Sequence, residues 1–99
     1  STILQHVRRG RIRSVHSLAD GFAEVIEAEA VGTTSLAGST LREAGLPVDV
    51  IVGALVRDGN VIIPRADTMI ENNDDVILLA SARSVKKVER LFSVQSEFF

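Results

Sequence analysis

The chain has 99 residues, enough for one compact domain and little more. Its 45% hydrophobic and 24% charged residues describe a globule rather than a disordered chain, and a net charge of −2 excludes a global field that would draw nucleic acid or an anionic membrane. Zero cysteines exclude disulfides, thiolate zinc sites and cysteine nucleophiles together, and fit a reducing compartment.

No apolar run reaches the roughly eighteen residues of a membrane span, so direct membrane insertion is not expected. Ser1-Thr2-Ile3 offers neither an initiator Met nor the apolar core of a signal peptide, and the chain reads as an excised fragment. Residues 2–9 carry Ile3, Leu4 and Val7 at helical spacing before Gly10. Residues 12–18 shift to a period of two and suggest a strand. Residues 1–22 together are expected to be a linker helix and strand, and 23–99 the domain proper with its tail. Asp20-Gly21 signals a turn before a half-buried strand at 23–31, with Ile26, Ala28 and Ala30 on one face and Glu27 and Glu29 on the other.

Thr40-Leu41-Arg42-Glu43 has the form of a capping box, and Gly45 with Pro47 limits the helix it starts to little more than one turn, at 41–44. Residues 48–57 are nearly all apolar and β-branched, which predicts a strand covered on both faces. Asp58-Gly59 predicts a tight hairpin returning through Val61-Ile62-Ile63, which Pro64 ends. A polar loop at 66–75 precedes a buried strand at 76–80. A last helix follows Ser81 or Ser84 as N-cap, with Val85, Val88, Leu91 and Phe92 forming one apolar stripe. The class is α+β: one mixed sheet with helices packed on it, in the order β-α-β-β-β-α from residue 23. The connection between 23–31 and 48–57 is long enough for a crossover and one parallel pair.

Catalytic signals are sparse. His6 and His16 sit ten residues apart on different predicted elements, and no phosphate-binding glycine loop or nucleophile-elbow motif occurs. The chain is not expected to be an enzyme. Glu71-Asn72-Asn73-Asp74-Asp75 is dense in oxygen ligands but lacks the spacing and central Gly of a calcium loop. It reads as a turn in which Asn73 takes a positive φ, and no metal site is assigned. The run Arg8-Arg9-Gly10-Arg11-Ile12-Arg13 is either a solvated linker or a contact for an acidic neighbour. The most structured constellation spans Arg57, Ile62, Ile63, Pro64, Arg65 and Asp67. It is either an apolar platform with flanking arginines for a flat anionic ligand or an edge strand with solvated charges. Phe98-Phe99 place two of the four aromatics at the terminus, where they would anchor on a partner.

Three stretches carry a resemblance. They are Gly38-Ser39-Thr40-Leu41-Arg42-Glu43, then Val56-Arg57-Asp58-Gly59-Asn60-Val61-Ile62-Ile63-Pro64, then Asp67-Thr68-Met69-Ile70-Glu71-Asn72-Asn73-Asp74-Asp75-Val76-Ile77. In order and spacing they resemble the C-terminal lobe of RCK domains, regulators of potassium conductance, of the TrkA C-terminal type. The likeness is strongest over residues 23–81, and departs from the usual pattern at Asn73-Asp74, where Gly-Asp is common. The resemblance implies a cytoplasmic module that homodimerises and sits beneath a membrane potassium transporter, peripheral to the membrane. It also implies that NAD or ATP is held by a preceding Rossmann lobe, with no cofactor in this chain. Some relatives bind a cyclic dinucleotide or calcium in this lobe, and Ile62, Ile63 and Pro64 match the dinucleotide platform.

Overall fold

The computed structural model describes residues 12–32, 34 and 36–93. Five strands form one sheet: β1 (Ile12–Leu18), β2 (Ala23–Glu29), β3 (Val50–Arg57), β4 (Asn60–Ile62) and β5 (Asp75–Ser81). One α-helix, α1 (Val85–Leu91), follows β5 through a short 3-10 turn. The expected helix at 2–9 lies outside the described residues. Ile12–Leu18 is hydrogen-bonded to β2 as an edge strand of the same sheet.

The spatial order is β1-β2-β5-β3-β4, and every neighbouring pair is antiparallel. The α+β class holds, while the sheet is not mixed. β2 and β3 do run in the same direction, but β5 lies between them and is antiparallel to both. Burial explains this arrangement. Val76, Leu78 and Ala80 are buried, and inserting β5 centrally sets them against Ala28, Ile26 and Glu24 on one side and Leu55, Val52 and Val50 on the other.

Local chemistry determines the corners. Asp58 and Gly59 both adopt positive φ, 52° and 80°, as a two-residue type I′ hairpin requires. Thr40 and Glu43 form the expected capping box: the Glu43 N–H donates to Thr40 Oγ1 at 3.1 Å and the Thr40 N–H to Glu43 Oε1 at 3.0 Å. The helix expected at 41–44 is a single hydrogen-bonded turn and not an α-helix, closed by the Ala44 N–H to the Thr40 carbonyl at 3.0 Å, because Gly45 at positive φ ends it at once. Asn73 has a φ of 74°, as its place in the polar turn anticipates.

One face of the sheet is covered. Ile26, Ala28, Leu55, Val76 and Leu78 meet Val88 and Phe92 of the C-terminal helix, with Leu36 and Ile70 from the loops. The other face is not covered among the described residues. β3 was expected to be buried on both sides, yet Ile51 is 58% exposed, and its cross-strand neighbour Leu79 is also exposed. An apolar strand sequence records that burial is available; it cannot report whether the chain has a second layer to supply it.

Candidate functional site

The β3–β4 hairpin delivers the platform residues to the surface. Ile62 pairs with Leu55 and packs on the core, so Ile63, the next residue, turns the opposite way and is 74% exposed. Pro64 is half-buried, and Arg65 and Asp67 are exposed. The loop after Pro64 is tied down by its backbone. The Arg65 N–H donates to Thr68 Oγ1 at 2.8 Å, the Arg42 N–H to the Ala66 carbonyl at 2.9 Å, and the Ile70 N–H to the Ser39 carbonyl at 2.8 Å. Ile63, Pro64, Arg65 and Asp67 are therefore presented on a fixed surface rather than a loose one.

Arg57 stands apart from that group. Its guanidinium is held by the 69–74 loop: Nε donates to Asp74 Oδ1 at 2.8 Å, and Nη2 donates to Asp74 Oδ2 at 2.7 Å and to the Met69 carbonyl at 3.0 Å. Glu71 Oε2 lies 3.4 Å from Nη1. The Glu71 N–H adds a third bond to Asp74, at 2.9 Å to Oδ2. Burial of Asp74, which is 1% exposed, favours its neutral form, but the Arg57 and Glu71 bonds outweigh it and hold the carboxyl below its ordinary range. The Asp74 bonds in turn raise the Arg57 pKa. This bidentate clamp joins the base of the hairpin to the loop entering β5 and so fixes the two ends of the platform segment.

A second cluster was not visible from sequence. Asp49 accepts hydrogen bonds from the Ser81 hydroxyl, from the Ser84 hydroxyl at 2.7 Å and from Arg83 Nε at 3.2 Å. The two serine hydroxyls, then burial acting in opposition and then Arg83, leave its carboxyl well below the usual carboxylate range. Ser81 and Ser84 look like helix N-caps in sequence, but neither hydroxyl caps a helix N–H. They join the start of β3 to the end of β5, more than thirty residues away. No sequence motif spans that distance.

Arg13, from the basic run, pairs with Glu29 at 3.5 Å and Asp75 at 3.1 Å on neighbouring strands. Phe98 and Phe99 lie outside the described residues, as do His6 and the remaining arginines of that run. A shallow open pocket of about 310 Å³ is lined by Gly21, Phe22, Ser81, Ala82 and Arg83, away from the platform. The uncovered sheet face carries Ile51 and Leu79 in one cross-strand row, with Val61 and Ile63 beyond.

Residues 25–93 match the family model for the TrkA-C domain. The chain belongs to the TrkA-C domain family. The match runs from within β2 to just past α1 and takes in the capping box, the hairpin and the Arg57–Asp74 clamp. This TrkA-C chain is similar to the Trk system potassium uptake protein TrkA of Azorhizobium caulinodans, 52% identical over 99 residues. It is 39% identical over 103 residues to the protein so named in Haemophilus influenzae. In both cases the whole chain is covered, and it spans 22% of the relative's length. Among solved structures it superposes on the GsuK RCK domain with a TM-score of 0.73 at 18% identity, covering 91% of this chain and 20% of that one. An RCK domain solved with cda gives a TM-score of 0.53 at 20% identity, over 68% of this chain and 97% of that one. Both likenesses show the shared fold.

Proposed function

We propose that this chain is the regulatory and dimerisation module of a cytoplasmic potassium-transport gating subunit, and that it does no chemistry itself. Its role is to couple the ligand state of a separate nucleotide-binding lobe to a membrane potassium transporter. Membership of the TrkA-C family and similarity to proteins named for potassium uptake support this assignment. The observation that carries it is the uncovered apolar sheet face, because contiguous exposed apolar surface marks an interaction site. A module of this kind works by making different contacts in two states of an assembly, which shifts their populations without a reaction.

NAD or ATP belongs to the separate lobe in this reading, and this chain binds neither. A peripheral position on the cytoplasmic side belongs to the same proposal; among the described residues no helix is long and apolar enough to cross a membrane. Sedimentation at tens of micromolar tests the dimer, which should show twice the 10.7 kDa chain mass. A monomer there overturns the dimerisation module.

A second reading is favoured by exposed Ile63 and Arg65 flanking half-buried Pro64, and by the similarity to an RCK domain solved with cda. It makes the chain a small-ligand sensor, for a nucleotide or a cation, that binds its own effector near Ile62–Asp67. A saturable rise in melting temperature against a nucleotide panel supports the sensor, since ligand bound only to the folded state stabilises it by RT ln(1 + [L]/Kd). No rise across the panel, or with divalent and monovalent cations tested in the same way, removes it.

A further inference from the structure

β3 is an interior strand for only part of its length. β5 lies along one side of it from Val50 to Val56, but on the other side β4 reaches only residues 55–57. Among the described residues no strand lies beside the stretch before them. The ladder fixes where the backbone groups of that stretch point. The Ser81 N–H donates to the Asp49 carbonyl, so Asp49 and, two residues on, Ile51 direct their polar groups at β5. Val50 and Val52 must direct theirs the other way. The Val50 N–H turns back to the Pro47 carbonyl at 3.1 Å. The Val50 carbonyl and the Val52 N–H remain at an open edge, which the register shift between Val52 and Ala54 brings to a close.

Open edges are usually guarded by lysine, proline, an inward charge or a bulge. Here the bulge at Gly53 limits the edge to a short stretch, and no side chain within that stretch guards it. No charged residue occurs from Val50 to Val56, and the nearest, Asp49, is taken up by Ser81, Ser84 and Arg83. Ile51 is exposed in the middle of the stretch, and Val48 just before it is 98% exposed.

We infer that two copies of this chain pair β3 with β3, antiparallel, about a two-fold axis at Ile51, so that two five-stranded sheets become one. The inference rests on the dimer reading and names its geometry. A second copy is the occupant because the open groups complement themselves. A two-fold at Ile51 sets the Val52 N–H of each copy against the Val50 carbonyl of the other. It opposes Ile51 to Ile51 as a non-hydrogen-bonded pair, with Cβ atoms about 4.5–5.5 Å apart. It also keeps the pairing clear of the bulge at Gly53, which an axis at Val52 would not.

The absence of cysteine makes the test direct. Ile51→Cys and Val61→Cys are made separately in the 99-residue chain and air-oxidised, with sedimentation of each in reductant. A non-hydrogen-bonded pair holds its Cα atoms about 4.5 Å apart, within disulfide range, so Ile51→Cys should form a linked dimer that reductant separates on a gel. Val61→Cys, on the outer strand, should stay unlinked. A third variant, Ile51→Lys, should sediment as a monomer with its circular dichroism unchanged. A dimer that links through Val61→Cys, or through neither position, overturns the edge pairing and leaves the dimer reading standing. A chain monomeric at tens of micromolar overturns both.

Discussion

Replacing Arg57 by methionine strips the Asp74 carboxylate of two of its three hydrogen bonds and of its counter-charge, leaving the Glu71 N–H alone. Asp74 is 1% exposed, so the loss follows the pattern of a broken buried pair, about 3–5 kcal/mol. The reverse change, Asp74→Asn, is milder. The Arg57 side chain is 27% exposed and keeps the Met69 carbonyl and Glu71, so about 1–2 kcal/mol is expected. Against a total stability of roughly 5–15 kcal/mol, the first variant should lose a large fraction of its fold and the second a small one. Because the two residues touch, their effects should not add, and the double variant should fall short of the sum by about 1–3 kcal/mol. Urea unfolding followed by circular dichroism gives all four corners of this cycle. The Arg57→Met penalty should also shrink between pH 7 and pH 5, because a buried carboxylate without its cation takes up a proton more readily. Additive effects, or an Arg57→Met cost no larger than that of Asp74→Asn, would refute the clamp.

Two further outcomes follow from the same geometry. Phe92 is fully buried against the sheet, so Phe92→Ala should cost about 3–5 kcal/mol through the cavity it leaves, read as a lower urea midpoint. Asp49 and Asp74 both have carboxyls held below their unfolded values, so in acid the unfolded chain binds more protons than the folded one. The stability they contribute should be complete at neutral pH and decline as pH falls below about 4, which urea midpoints at pH 7 and pH 3 would show.

What could be read from the sequence was local. The Asp58-Gly59 hairpin, the Thr40–Glu43 box and the positive φ at Asn73 each depend on residues within a few positions of one another. The side chain alone narrows the backbone there. Arg57 was visible as a candidate ligand contact, but its engagement with Asp74 spans seventeen residues and depends on β5 entering the sheet beside β3. That insertion is decided by competition among several apolar strands, none of which carries a label for its neighbour. The Asp49 cluster was hidden for the same reason, and Ser81 and Ser84 were taken up by a strand end instead of a helix start. The run at 48–57 showed that two apolar faces exist. Only the assembled sheet reveals that one of them, and one edge of the strand, remain open among the described residues.

The coupling role is tested most directly by potassium uptake in cells whose full-length protein carries Ile51→Lys, once that change is shown to separate the dimer of this chain without unfolding it. Uptake is measured alongside nucleotide binding by the purified full-length protein. The account predicts that uptake loses its regulation while nucleotide binding is retained, because the ligand state is still set but no longer passed on. Regulated uptake that persists with the dimer separated would contradict it.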